Sequence, residues 1–154
     1  MIKNKKYTPG HNPCLFQVSL KVLLTNDKKE YLILKDVSKS KHWKNKFDLA
    51  GGRINPDELK LPFHKLLNRE IREEIGNQVK YKLRKDPVSL AKCHYPYEPC
   101  KIFILFEAKY LGGKIIISDE HAYYRWEKIS KTEAKKLFSS VLYELMANYF
   151  SWNE

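Results

Sequence analysis

The stretch Arg69-Glu70-Ile71-Arg72-Glu73-Glu74-Ile75-Gly76 (REIREEIG) packs three glutamates into five consecutive positions of a chain with a formal net charge of +11. Like charges at i,i+4 on a helix cost a few tenths of a kcal/mol per pair, so flanking arginines or a bound cation should offset the crowding. At about 100° per residue the three carboxylates share an arc of about 100°. They border an apolar stripe of Leu67, Ile71 and Ile75, while Arg69 and Arg72 lie on the far side. Such a patch fits a solvated charged face with i,i+4 pairing. It also fits an oxygen-rich site for a hard divalent ion, Mg²⁺ or Mn²⁺ beside phosphate. The helix alone leaves both open.

Working outward, Pro62 suits the first turn of this helix and Gly76-Asn77 its left-handed end. Upstream, Phe16–Thr25 and Tyr31–Lys35 read as strands joined through Asn26-Asp27, a hairpin signal. A short strand, Phe47–Ala50, runs into Gly51-Gly52, where backbone can approach a ligand closely. Downstream, Val79–Leu83, Val88–His94, Lys101–Tyr110 and Tyr123–Glu127 read as further strands. Ser130 and Glu133 form a capping box for a short helix. Phe138, Val141, Leu142, Leu145, Met146 and Tyr149 share one stripe of a last helix, which suits packing on a sheet better than lying on a membrane. Strands, a helix, more strands and then helices predict an α/β fold, a mixed sheet sandwiched between helices.

The length of 154 residues fits one domain, with residues 1–13 an extended lead-in holding Pro9, Gly10 and Pro13. No apolar run follows the basic start, and the longest apolar runs are strand-sized, so neither a signal peptide nor a membrane span is expected and the cytoplasm is the expected compartment. Cys14, Cys93 and Cys100 are odd in number with no CxxC pair, and their spacing around His94 does not fit the common zinc motifs, so they read as reduced thiols. Residues 1–46 hold eleven lysines against Asp27, Glu30 and Asp36. That bias fits an anionic partner such as polyphosphate or nucleic acid, or simply a lysine-rich wet surface.

Taken with its upstream context, the acidic stretch resembles the Nudix hydrolase family, whose signature is G-x5-E-x7-R-E-U-x-E-E-x-G-U with U a bulky apolar residue. Gly52 and Glu58 stand in order before Arg69-Glu70-Ile71-Arg72-Glu73-Glu74-Ile75-Gly76. Ten residues separate Glu58 from Arg69 where the family has seven; strict spacing would put Leu61 at the glutamate position, so Glu58 fits with a three-residue insertion. Asn77 replaces the last apolar position, and Ala50 stands where proline is usual. Ser118-Asp119-Glu120-His121, followed by Tyr124-Arg125-Trp126, is similar to a downstream segment of these enzymes. The likeness is tight over 49–76 and extends over about 14–150, so residues 14–154 are expected to form a single Nudix-type α/β/α sandwich with a mixed β-sheet.

The resemblance implies hydrolysis of the diphosphate linkage of a nucleoside diphosphate derivative by water attack on phosphorus. By position, Glu70, Glu73, Glu74 and Gly52 would hold Mg²⁺ or Mn²⁺, and Arg69 would orient the carboxylates, Glu58 among them. Glu73, Glu74 or the later Glu120 would serve as catalytic base, although Glu120 also reads as an exposed loop acid and His121 as structural. Arg53, Glu58, Trp43 and Lys46 are candidate substrate contacts. Trp43 sits among Lys39, Lys41, Lys44 and Lys46 in a loop suited to phosphate and base contacts, or else it packs on the sheet. Tyr95 and Tyr97 are a second aromatic loop for the same cleft. Expected substrates are small nucleotides, with an RNA 5′ end also open; a non-catalytic nucleotide- or RNA-binding module is the alternative.

Overall fold

A computed structural model describes residues 14–37 and 43–153, so the lead-in, Lys39 and Lys41 lie outside the described residues. The chain forms β1 (Phe16–Thr25), β2 (Tyr31–Asp36), β3 (Phe47–Asp48), β4 (Ala50–Arg53), a 3₁₀ turn (Pro56–Glu58) and α1 (Phe63–Ile75). It continues through β5 (Lys80–Leu83), β6 (Ser89–Cys93), β7 (Cys100–Gly112), β8 (His121–Glu127), α2 (Lys131–Leu137) and α3 (Ser140–Trp152).

The β1–β2 connection turns where expected because the Asn26 side-chain oxygen accepts the N–H groups of Lys28 and Glu30, an Asx-type closure. The mixed sheet has the path β3-β2-β1-β7-β5, with β4 also on β1, β6 on β7 and β8 on β2. β1 and β7 run parallel from Phe16–Cys100 to Thr25–Lys109, and the remaining pairs are antiparallel. The expected strand Phe47–Ala50 divides: Phe47 and Asp48 pair with β2, whereas Ala50 onward crosses to β1.

Because strand side chains alternate faces, β1 feeds two cores. Leu20, Val22 and Leu24 join Leu67, Ile71 and Ile75 of α1 on one side. Leu23 joins Phe103, Leu105, Leu142, Leu145 and Met146 on the other, under α2 and α3. This is the expected sandwich of helices about a mixed sheet. Phe138 belongs to the second core but caps the C-terminus of α2 and does not begin α3.

Ser130 caps α2 as its sequence predicts, accepting the Glu133 N–H while Glu133 accepts the Ser130 N–H. Ser130→Ala should cost about 1 kcal/mol in urea unfolding.

Candidate functional site

The site begins where β4 lies flush on β1. Gly51 and Gly52 pair with Lys21 and Leu20, and any Cβ at Gly51, whose φ is 138°, would run into the Leu20 carbonyl. A Cβ at Gly52 would collide with the Glu70 carboxylate. Glycine is needed at the first position for backbone clearance and at the second so that an acid can approach the main chain.

α1 delivers its acids to this strand edge because Leu67, Ile71 and Ile75, fully buried, fix the rotation of the helix. Glu74 accepts the Gly51 N–H through Oε2 at 2.8 Å. Glu70 and Glu74 are buried, whereas the Glu73 side chain keeps 57% of its surface exposed. Arg69 joins the rest: its guanidinium lies 2.8 Å from each of Glu58, Glu70 and Glu73. Burial lifts the Glu70 carboxyl above its ordinary range; Arg69 opposes that lift and the Glu74 charge adds to it.

The segment before α1 is tied down by the same contacts. Glu58 is buried, accepts the Asn55 N–H and meets Arg69. Leu61, which strict signature spacing would substitute for it, is 47% exposed in the turn between the 3₁₀ element and α1.

A second segment closes over the C-terminal end of α1. The Ile116 N–H donates to the Ile75 carbonyl and the Ser118 N–H to the Glu74 carbonyl, satisfying acceptors that a helix end leaves free. Gly76, at φ 96°, ends the helix against Ile116. A turn from Ser118 to His121 then sets Glu120 and His121 beside Glu74. Oxygens of Glu74 and Glu120 and a ring nitrogen of His121 lie within 4.8 Å of one another, a spacing a divalent ion can bridge with small side-chain shifts. His121 Nε2 is 3.8 Å from Glu74 Oε1, an ionic contact too long for a hydrogen bond. Burial alone would lower the imidazole pKa, but Glu74 and then Asp48 outweigh it, leaving the group above its ordinary value.

On the other side of the glycines a cleft of about 200 Å³ is lined by Lys21, Trp43, Asp48, Gly52, Arg53 and Lys101 among others. A hollow of about 490 Å³ between Thr25 and Lys109 contains none of the signature acids, and one of about 590 Å³ is lined by Arg69, Glu73, Gly76 and Ser118; the smaller cleft is the one lined by Gly52, against which Glu70 lies. Trp43 lines this cleft and also packs against the α2–α3 core. Lys46 instead turns to the Lys136 carbonyl at 3.0 Å, and neither Lys44 nor Lys46 lines the cleft. Tyr97 is fully exposed, and Tyr95 pairs with Ser140. Neither lines the cleft.

Sequence reasoning missed Lys21 and Asp48. Lys21 Nζ lies 2.8 Å from Asp48 and also donates to the Leu49 carbonyl. Burial alone would depress its pKa, yet Asp48, followed by Glu74 and Glu70, raises it above the usual lysine value. A lone lysine inside the apolar run of β1 was the available signal. Lys21→Met should cost about 3 kcal/mol in urea unfolding, because it strands a largely buried Asp48 carboxylate.

Two glycines approached by buried carboxylates on an α/β/α sandwich, with Glu120 and His121 beside Glu74, form a cluster that could hold a divalent ion. Residues 15–149 match the family described as NUDIX domain. The chain belongs to that family and is a Nudix hydrolase. Its fold is similar to that of the MutT protein from Methanosarcina mazei Go1, at 25% identity and a TM-score of 0.72, over 93% of this chain and 99% of that one. It also resembles a C. elegans Ap4A hydrolase (16% identity, TM-score 0.67, 89% and 97% of the two chains). A third similar structure is an ADP-ribose pyrophosphatase from Streptococcus suis 89-1591 (11% identity, TM-score 0.60, 91% and 93%). The last two likenesses show a shared fold. A comparison with curated proteins finds no match.

Proposed function

We propose that this chain hydrolyses the diphosphate linkage of a nucleoside diphosphate derivative by water attack on phosphorus, with Mg²⁺ or Mn²⁺ as cofactor. The observation that carries the reading is Glu74: one oxygen is pinned by the Gly51 N–H while the other faces Glu120 and His121 at the rim of the glycine loop. Glu70, Glu73 and Glu74, with Gly52, would hold the ion. When bound, it would neutralise diphosphate charge and favour water as a nucleophile near neutral pH.

The chain's own groups supply the rest. Arg69 holds Glu58 and Glu70 so that the buried acids cannot splay apart. Glu120, exposed on its turn, takes the proton from the attacking water. Arg53 and Lys101 offer positive charge to the phosphates from the cleft wall, and Trp43 offers a face to a base. Similar structures are named for Ap4A and ADP-ribose, both nucleotides with phosphate–phosphate bonds, which supports the substrate class.

Residues 14–154 would act as one domain. Cys14, Cys93 and Cys100 are free thiols, in keeping with work in the cytoplasm. Among the described residues no helix is long and apolar enough to cross a membrane.

The test is a panel of nucleoside triphosphates, dinucleoside polyphosphates, sugar nucleotides, ADP-ribose and 5′-triphosphorylated RNA, incubated with each metal. Release of phosphate, pyrophosphate or nucleoside monophosphate from at least one member is expected. Binding without product across the whole panel would establish the non-catalytic module instead.

A further inference from the structure

We propose that His121 is a nitrogen ligand of the metal at this site, so that the enzyme favours Mn²⁺, Co²⁺ or a similar transition metal over Mg²⁺. The inference rests on the function proposed above and adds a donor that the glutamate cluster does not contain.

Both ring nitrogens of His121 are buried and neither has a hydrogen-bond partner, although only 8% of the residue is exposed. A buried polar group left unsatisfied costs about 1–3 kcal/mol, and such groups usually point to a missing partner. Glu74 Oε1 lies 3.8 Å from His121 Nε2. Glu74 Oε2 is already engaged by the Gly51 N–H, so Oε1 is the oxygen left to meet an ion. Two donors each about 2.1 Å from one ion stand at most about 4.2 Å apart, which accommodates the observed spacing. Exposed Glu120, with an oxygen within 4.8 Å of both groups, is left free to act as the base.

The backbone prearranges this set. The Ile116 and Ser118 N–H groups fasten the segment to the end of α1, and the His121 N–H closes the turn on Ser118. His121 is also the first residue of β8, paired with Asp36 of β2, so the imidazole is carried by a strand and not by a free loop. One imidazole among carboxylates is a poor environment for Mg²⁺, which takes oxygen donors, and a good one for later first-row divalent ions.

The test uses the full-length protein stripped of metal and titrated separately with Co²⁺, Mn²⁺ and Mg²⁺, following heat and the proton NMR spectrum of the Co²⁺ form. Wild type should bind Co²⁺ and Mn²⁺ at least about tenfold more tightly than Mg²⁺. The Co²⁺ form should show a hyperfine-shifted, exchangeable imidazole N–H signal. His121→Gln should lose that signal and at least about tenfold in Co²⁺ affinity, with Mg²⁺ affinity within about threefold. A wild-type Co²⁺ spectrum without a shifted imidazole signal overturns the inference, whether or not the variant folds. Unchanged Co²⁺ affinity in His121→Gln, with Glu74→Gln weakened, overturns it while leaving the proposed function standing. Unchanged affinity in both variants overturns both.

Discussion

Glu74→Gln should lower turnover of the best nucleotide on the panel on the order of 10³-fold, about 4 kcal/mol of lost transition-state stabilisation. Glutamine keeps an oxygen to accept the Gly51 N–H, so the helix–strand contact survives. What it loses is the charge on the atom facing His121 and Glu120. Unfolding free energy should therefore stay within about 1 kcal/mol of the parent. The measurement is steady-state kinetics at saturating metal, paired with urea unfolding. A loss under tenfold would show that Glu74 anchors the loop without taking part in the reaction.

Gly51→Ala should destabilise the fold by about 4 kcal/mol in urea unfolding. Its φ of 138° is open to glycine, and an added methyl meets the backbone carbonyl of Leu20, which β1 cannot move without breaking its pairing with β7. Gly52 next to it provides the contrast. There the obstruction is the end of the Glu70 side chain, which can swing aside, so Gly52→Ala should fold and fail chiefly in catalysis. A Gly51→Ala protein as stable as its parent would contradict the flush β4–β1 contact on which the site is built.

How far the chain could be read in advance follows from the range of each interaction. α1 was legible because its stripe, its proline start and its glycine stop are all local, and the observed Phe63–Ile75 follows them. The α/β/α layering followed from element order and from the alternation in β1. The strand Phe47–Ala50 divides because Ala50 switches partner from β2 to β1, which depends on a long-range pairing that no local pattern reports. Arg69 lies off the carboxylate arc, yet its long side chain reaches back to three acids, a matter of reach and not of helical angle.

The candidate site divides in the same way. Glu70 and Glu74 fall beside the glycines, while Glu73 is largely exposed and pairs with Arg69. His121 looked structural from its isolation in sequence; only the docking of Ile116 and Ser118 on the end of α1 brings it to Glu74. Lys46 was grouped with Trp43 by proximity in sequence, but the fold sends it to α2.

Water attack on phosphorus at this site would leave an isotopic mark on the product. Hydrolysis of the best panel substrate in ¹⁸O-labelled water, followed by phosphorus NMR of the products, tests it most directly. One labelled oxygen should appear on a single phosphate product, formed only when a divalent ion is present and not by Glu74→Gln. Product without label on phosphorus, or equal product after chelation of all divalent ions, would contradict it.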